Sequence, residues 1–242
     1  MVFLRKEPNL NTELIDFHAH ILPGADHGSD GRRTSADQLK MMAEAGIKKA
    51  VATPHFYPDR HTVDSFLARR DEAERDLDTL LFDGSPDVIP GAEILVCEGL
   101  SRMDGLHKLT VRGTNTILLE MPLTAWTGKL LDTVEEIYKS SLTPVMAHID
   151  RYPKRAVEEL LEIGVKAQLN ADALCRSFDR RKLIRYVEDG KIVAIGSDLH
   201  GAKKGGYTKF LSACKYLGDA LPEIMKKSEA LISPSVIFSE RK

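Results

Sequence analysis

Three features of the chain predict a parallel α/β barrel with a metal cluster at the C-terminal ends of its strands. Seven short apolar runs have the length of buried strands, a stretch of helical periodicity follows most of them, and histidines and acids gather where the runs end. Strand and helix alternating in this way imply parallel strands joined by right-handed crossovers. Closure into a barrel follows from the third feature. Around a barrel the strand ends encircle one mouth, whereas an open sheet holds its outer ends too far apart to share chemistry. Seven strands are one short of the usual eight, so the expected barrel is TIM-like but distorted, with a wide cleft.

The first run reads Leu14-Ile15-Asp16-Phe17-His18-Ala19-His20, and strand alternation puts His18 and His20 on one face. Ser35 and Gln38 suggest a capping box for a helix stopped by Gly46. The second run, 47–53, leads into Pro54-His55; Val63, Phe66, Leu67, Ala73, Leu77 and Leu81 then recur at helical spacing on a long charged helix. Run 88–90 leads into Gly91-Ala92-Glu93, and run 116–119 ends at Glu120. Run 143–147 ends at His148, run 165–169 at Asn170, and run 192–196 in Ser197-Asp198-Leu199-His200. Further helices are expected over 130–138, 154–163, 180–188, 209–217 and 223–231. No linker or repeat divides the chain, so residues 1–242 are read as one barrel domain with a core of about 13–234.

The candidate ligands are His18, His20, His27, His55, Glu93, Glu120, His148, Asp198 and His200, which include six of the chain's eight histidines. One transition-metal ion takes about four to six donors, so this set implies two or three ions with a bridging carboxylate. Mixed imidazole and carboxylate donors suit Mn²⁺, Fe²⁺ or Zn²⁺ better than Ca²⁺ or Mg²⁺. A cluster of that kind serves hydrolysis, because it activates water and neutralises phosphate oxygens.

Composition fits an ordinary folded enzyme: 242 residues, 43% hydrophobic and 29% charged. A net charge of −2 gives no general attraction to nucleic acid. Residues 1–12 carry Arg5, Lys6 and Glu7 without the apolar core of a secretory signal, and no window approaches a membrane span. Three widely spaced cysteines argue against a disulfide framework, so a reduced, cytoplasmic protein is expected.

The stretches Asp16-Phe17-His18-Ala19-His20-Ile21-Leu22-Pro23-Gly24, Thr53-Pro54-His55, Gly91-Ala92-Glu93-Ile94, Leu119-Glu120-Met121-Pro122, Ala147-His148-Ile149-Asp150-Arg151-Tyr152 and Ser197-Asp198-Leu199-His200 resemble the motifs of PHP (polymerase and histidinol phosphatase) domains. More narrowly, they resemble the bacterial PHP-type tyrosine phosphatases of capsule and exopolysaccharide operons, in order from Asp16 to about Pro234. The resemblance implies a distorted seven-stranded barrel, a three-metal centre, and hydrolysis of phosphotyrosine on the tail of a bacterial tyrosine kinase. By position it implies that His18, His20, Glu93 and Asp198 hold one metal, Glu120 and His148 a second, and His27, His55 and His200 a third. It also assigns substrate phosphate to Arg151 as a planar donor fork, with His55 and His200 joining Arg151 in the catalytic set.

Two positions depart from that pattern. Asp26-His27-Gly28 stands where these phosphatases read Asp-Asp-Gly, so a carboxylate ligand is replaced by histidine. After His200, Lys203 and Lys204 stand where an arginine is expected; Lys203 can neutralise phosphate as a point charge but cannot fork onto it. Asn170 either lines the pocket or caps a turn, Asp26 orients a ligand or makes a turn, and Trp126 stacks on an aromatic substrate or packs on the barrel. His61 and His107 belong to no motif; His61 could border substrate. Cys175 and Arg181 match the Cys-x5-Arg spacing of another phosphatase class, but the intervening residues lack glycine and include Asp179, so Cys175 is read as packing. Alternative readings are a histidinol-phosphate phosphatase, a PHP nuclease, and a non-catalytic metal-stabilised scaffold for a kinase tail.

Overall fold

A computed structural model of the protein describes residues 12–124, 126–176, 178 and 180–234; residues 1–11, Ala125, Ser177, Asp179 and 235–242, which include most of the stretch read for a signal and part of the Cys175–Arg181 interval, lie outside the described residues. The strands are β1 (Leu14–Ala19), β2 (Ile47–Ala52), β3 (His55–Phe56), β4 (Asp87–Pro90), β5 (Glu93–Leu95), β6 (Thr116–Glu120), β7 (Thr143–Met146), β8 (Lys166–Asn170) and β9 (Ile192–Gly196). The helices are α1 (Arg32–Glu44), α2 (Val63–Asp78), α3 (Gly128–Tyr138), α4 (Lys154–Glu162), α5 (Arg180–Glu188), α6 (Thr208–Leu217) and α7 (Leu221–Ile232).

Every strand pair is parallel, as the alternation predicts. The ladders form two sheets, β1-β2-β4 and β3-β5-β6-β7-β8-β9, rather than the expected seven strands in one closed ring. Two expected strands are divided. Thr53-Pro54 separates β2 from β3, where proline has no N–H for the ladder, and Gly91-Ala92 separates β4 from β5. Hydrogen bonds bridge these breaks: Gly91 N donates to Ala52 O at 2.8 Å, and Glu93 N to Pro54 O at 3.1 Å. At the other flank Asp198 N donates to His18 O at 2.8 Å, beside an isolated parallel bridge between Ala19 and Leu199. The two sheets therefore meet where the candidate ligands stand.

The capping box expected for α1 does not form. Ser35 is buried and donates to Ile21 O at 2.6 Å, while Gln38 donates to His20 O at 3.2 Å. Both side chains face inward and are spent on carbonyls after β1, leaving Gly31 at the helix start without a side-chain cap. Gly46, at φ 75°, makes the expected stop. Helix α2 begins at Thr62, whose hydroxyl accepts from Ser65 N at 3.2 Å, and ends at Asp78; Leu81, 46% exposed, lies beyond it. One apolar cluster includes fully buried Phe17, Phe56, Phe66 and Phe210, each worth about 1.5–3 kcal/mol of burial. No helix of the described residues is long and apolar enough to cross a membrane.

Candidate metal centre

Strand alternation and the strand ends put the predicted ligands around one point. His18, on β1, and His20, just after it, face each other with Nε2 atoms 3.1 Å apart. Glu93, opening β5, reaches the cluster's middle: its Oε2 lies 3.2 Å from both of those Nε2 atoms and 3.0 Å from His55 Nδ1, and its Oε1 lies 2.8 Å from His148 Nε2. Asp198 Oδ1 lies 3.6 Å from His18 Nε2 and 3.4 Å from His20 Nε2. Glu120 Oε1 lies 3.5 Å from His148 Nε2. His27, though exposed, stacks on His55 at 4.8 Å and 8°, and its ring is also 4.8 Å from that of His200. All the candidate ligands thus converge.

The hydrogen bonds behind the rings decide what faces the middle. His18 Nδ1 donates to Gln168 Oε1 at 3.2 Å, His20 Nδ1 to Asp26 Oδ2 at 2.7 Å, and His200 Nδ1 to Asp198 O at 3.1 Å. A ring that donates from Nδ1 presents a lone pair at Nε2 when neutral. Lone pairs then face carboxylate oxygens, an arrangement that a cation satisfies. The buried His55 Nδ1 and Glu93 Oε2 approach to 3.0 Å, yet among the described residues neither has a hydrogen-bond partner, and His148 Nδ1 has none either. Three ligand groups have atoms within 4.8 Å of one another: His20–His55–His200, His18–His20–Asp198 and His55–Glu93–Glu120. The donor set therefore fits divalent metal.

Electrostatics carries the same demand. Burial opposes charge on His20, but Asp198, Asp26 and Glu93 hold it well above the usual imidazole value. Burial likewise opposes charge on His148, yet Glu120 and Glu93 raise it to about 9. Burial opposes ionisation of Glu93 and Asp198, but neighbouring imidazoles hold both well below the carboxylate range. Burial, aided by the charge on His20, lowers His200 to about 4. Protons here do what a metal ion would do. Backbone strain marks two of the same residues: among the described residues, His148 (φ 32°) and Asp198 (φ 50°) are the non-glycine positions with positive φ.

The predicted substrate residues lie at the rim. Arg151, 44% exposed on its side chain, pairs with Asp198 through one guanidinium nitrogen. Asn170 is buried and donates to Asp198 Oδ2 at 3.0 Å, so it lines the pocket and holds a candidate ligand rather than capping a turn. Lys203 is exposed and lines a cleft of about 500 Å³ with Arg151, Asn170, Asp198 and His200. Asp26 orients His20, and also accepts from His55 N at 2.9 Å.

Others fall outside. His61 packs beside Phe56 and Tyr57, and His107 is exposed on a short turn. Trp126 donates to Pro122 O at 2.8 Å and meets Tyr152 edge-on, which is packing. Cys175 lies against Lys209 O, and burial raises its thiol, the reverse of what a nucleophile needs.

Two supporting residues were missed in the sequence. Buried Gln168 accepts from His18 Nδ1 and from His148 N at 2.7 Å, and donates to Asn170 Oδ1 at 3.1 Å. Buried Asp16 accepts from Ser197 N at 2.8 Å and from the Tyr207 hydroxyl at 2.6 Å, tying β1 to the Asp198 segment. A lone polar residue inside a buried apolar run was the available signal in both cases.

A parallel α/β scaffold with an imidazole–carboxylate cluster at its strand ends defines a metal-centre protein. Residues 14–219 match the family described as capsular polysaccharide synthesis, CpsB/CapC, and the chain belongs to that family. It is 24% identical over 207 residues to the tyrosine-protein phosphatase CpsB of Streptococcus pneumoniae, covering 77% of this chain and 83% of that protein. A chain described among the crystal structures of YwqE from Bacillus subtilis and CpsB from Streptococcus pneumoniae, called unique metal-dependent tyrosine phosphatases, shares its fold with a TM-score of 0.73 and 23% identity over 93% of this chain and 96% of that one. An amidohydrolase from Mycoplasma synoviae shares the fold more loosely, with a TM-score of 0.52 and 13% identity over 90% of this chain and 87% of that one.

Proposed function

We propose that this chain is a metal-dependent phosphomonoesterase that hydrolyses phosphotyrosine on the tail of a bacterial tyrosine kinase controlling capsule or exopolysaccharide synthesis, in the cytoplasm. The observation that carries the reading is one buried carboxylate, Glu93, in contact with four imidazoles at the mouth of a parallel α/β fold. Membership of a capsular polysaccharide family and likeness to tyrosine phosphatases support it. The two sheets together are read as a distorted seven-position barrel in a single domain, β2 continuing into β3 and β4 into β5.

His18, His20, Glu93 and Asp198 would hold one ion, Glu120 and His148 a second, and His27, His55 and His200 a third; Mn²⁺ is the first choice, with Fe²⁺ or Zn²⁺ as substitutes. Such ions supply an activated water and neutralise charge on phosphoryl oxygens. The chain's own residues do the rest. Arg151 uses one nitrogen on Asp198, and its remaining N–H groups are free to take phosphate oxygens. Lys203 adds a point charge beside His200. Asn170 and Gln168 keep Asp198, His18 and His148 in place before substrate arrives. A tyrosine phenolate, of pKa about 10, leaves with less protonation than an alkoxide.

The test is phosphate release from a phosphotyrosyl peptide and from histidinol phosphate by Mn²⁺-loaded protein, with His200→Ala alongside. A tenfold or greater preference for the peptide in kcat/KM, about 1.4 kcal/mol of transition-state discrimination, is expected. His200→Ala should lose metal and activity together. Preference for histidinol phosphate would reassign the substrate, and a fully active His200→Ala protein would sink the ligand set.

A further inference from the structure

Lys203 and Lys204 bring positive charge to the rim of the site. Both are exposed, and among the described residues neither has a carboxylate partner, whereas nearby Arg176 pairs with Asp150 at 2.7 Å and Lys209 with Asp172 at 3.6 Å. The chain as a whole is slightly negative, at −2, so this is a local concentration and not a general surplus.

The turn that carries these lysines is held firmly. Gly206 N donates to Lys203 O at 2.9 Å, and Thr208 N to Gly205 O at 3.0 Å. Gly206 packs so closely that a Cβ there would lie 2.7 Å from Met41 Cε and 2.9 Å from Leu199 Cδ1. Tyr207, next in the chain, is buried and bonded to Asp16. Charges on a fixed backbone bind an anion with less ordering cost than charges on a mobile loop.

Lys203 borders both clefts that meet at His200, which suits the phosphate itself. Lys204 and Lys209 border only the larger, on the Arg151 side. That cleft, at about 500 Å³, falls in the range that holds a drug-sized group, so it has room for a residue beside the phosphorylated one. We infer that Lys204, assisted by Lys209, forms a subsite for an acidic side chain adjacent to the phosphotyrosine, so that the preferred substrates are acid-flanked phosphotyrosyl peptides. This rests on the tyrosine phosphatase reading. The Lys209–Asp172 pair is exposed, so an incoming carboxylate competes with Asp172 at little cost.

The experiment compares kcat/KM of the Mn²⁺-loaded full chain on two phosphotyrosyl peptides that differ only in flanking Glu or Gln, with a simple aryl phosphate alongside. A Glu-to-Gln ratio of about fivefold is expected, shrinking toward one at about 0.5 M salt. In Lys204→Glu the ratio should invert, and in Lys204→Gln it should fall to about one. Lys226→Glu, on α7 beside the opposite end of β1, should keep the wild-type ratio. Phosphate release from both peptides with a wild-type ratio near one, or a ratio unchanged in Lys204→Glu, overturns the subsite alone. Release from neither peptide nor the aryl phosphate overturns the phosphatase reading and the subsite with it.

Discussion

The rings of His20 and His148 hold protons that a metal must expel. With His148 raised to about 9 and His20 held well above its ordinary value, both of these rings are protonated at neutral pH in the metal-free protein, and metal binds only deprotonated imidazole. Mn²⁺ affinity should therefore rise with pH from neutral through about 9, as His148 and His20 give up their protons. Calorimetric titration at neutral pH in two buffers of different ionisation enthalpy should show proton release; heats that do not depend on buffer would refute it. The same shifts have the opposite sign for the metal-free fold. A folded-state pKa above the unfolded value stabilises fully below about 6.5, and that contribution is lost as pH rises through about 9. The metal-free melting temperature should fall across that window. The candidate ligands were legible because all but His27 end or directly follow an apolar run. Gln168 and Asp16 were not, because their work is done through the hydrogens of residues up to 191 positions away, and nothing local records that pairing.

At the scale of elements, β9 lies against β1, and Gly196 is where they touch most closely. A Cβ at that position would stand 2.5 Å from His18 Cβ, 2.8 Å from Gln168 Nε2 and 3.0 Å from His18 N, so besides one side-chain tip the clash is with the Cβ and backbone of His18, a candidate ligand, which cannot simply swing away. Gly196→Ala should cost about 1–3 kcal/mol and displace His18, so that thermal stability and Mn²⁺ binding fall together. Gly128→Ala, at the start of α3 with nothing within 4 Å, is the matched control and should be neutral or slightly stabilising. An unaltered metal affinity in Gly196→Ala would show that β1 does not position His18. The strands and helices themselves were readable to within a few residues, since burial on both faces of a parallel sheet leaves apolar runs and crossover helices leave one apolar stripe. What the pattern did not reveal is where a strand breaks. Pro54 and Gly91 interrupt ladders without interrupting hydrophobicity, so β2/β3 and β4/β5 each read as one run. The absent capping box has a related cause: Ser35 and Gln38 match a helix-start motif, and only the packed fold shows the Ile21 and His20 carbonyls that claim them.

Across the whole molecule, the cluster sits on the line between the two sheets. His18 belongs to β1 of the three-stranded sheet and His20 follows it, while His55, Glu93 and Glu120 belong to the six-stranded one, and His148 and Asp198 follow two of its strands. Few backbone hydrogen bonds join those sheets at this end, the Asp198 N to His18 O bond at 2.8 Å being the shortest between β1 and the segment after β9. Ions held by both sets of ligands would fasten the sheets together, and without them Glu93 is offset by the protons of its imidazole neighbours and Asp198 by those protons and by Arg151. Metal should thus act as a structural clamp as well as a reactant. Binding to the native state alone stabilises by about 2.7 kcal/mol when free metal is a hundred times Kd. For a chain of this length that corresponds to a rise of about 5–10 °C in Tm. Calorimetric melting of chelator-treated and Mn²⁺-loaded protein checks the size of the effect. Amide exchange checks its place, because protection should increase at the C-terminal ends of β1 and β9 and at the start of β5, where Glu93 stands, and not along α7, which packs at the opposite end of β1. Equal melting temperatures, or protection spread evenly over the fold, would mean that the sheets hold each other without the cluster and that the ligands are arranged for chemistry alone.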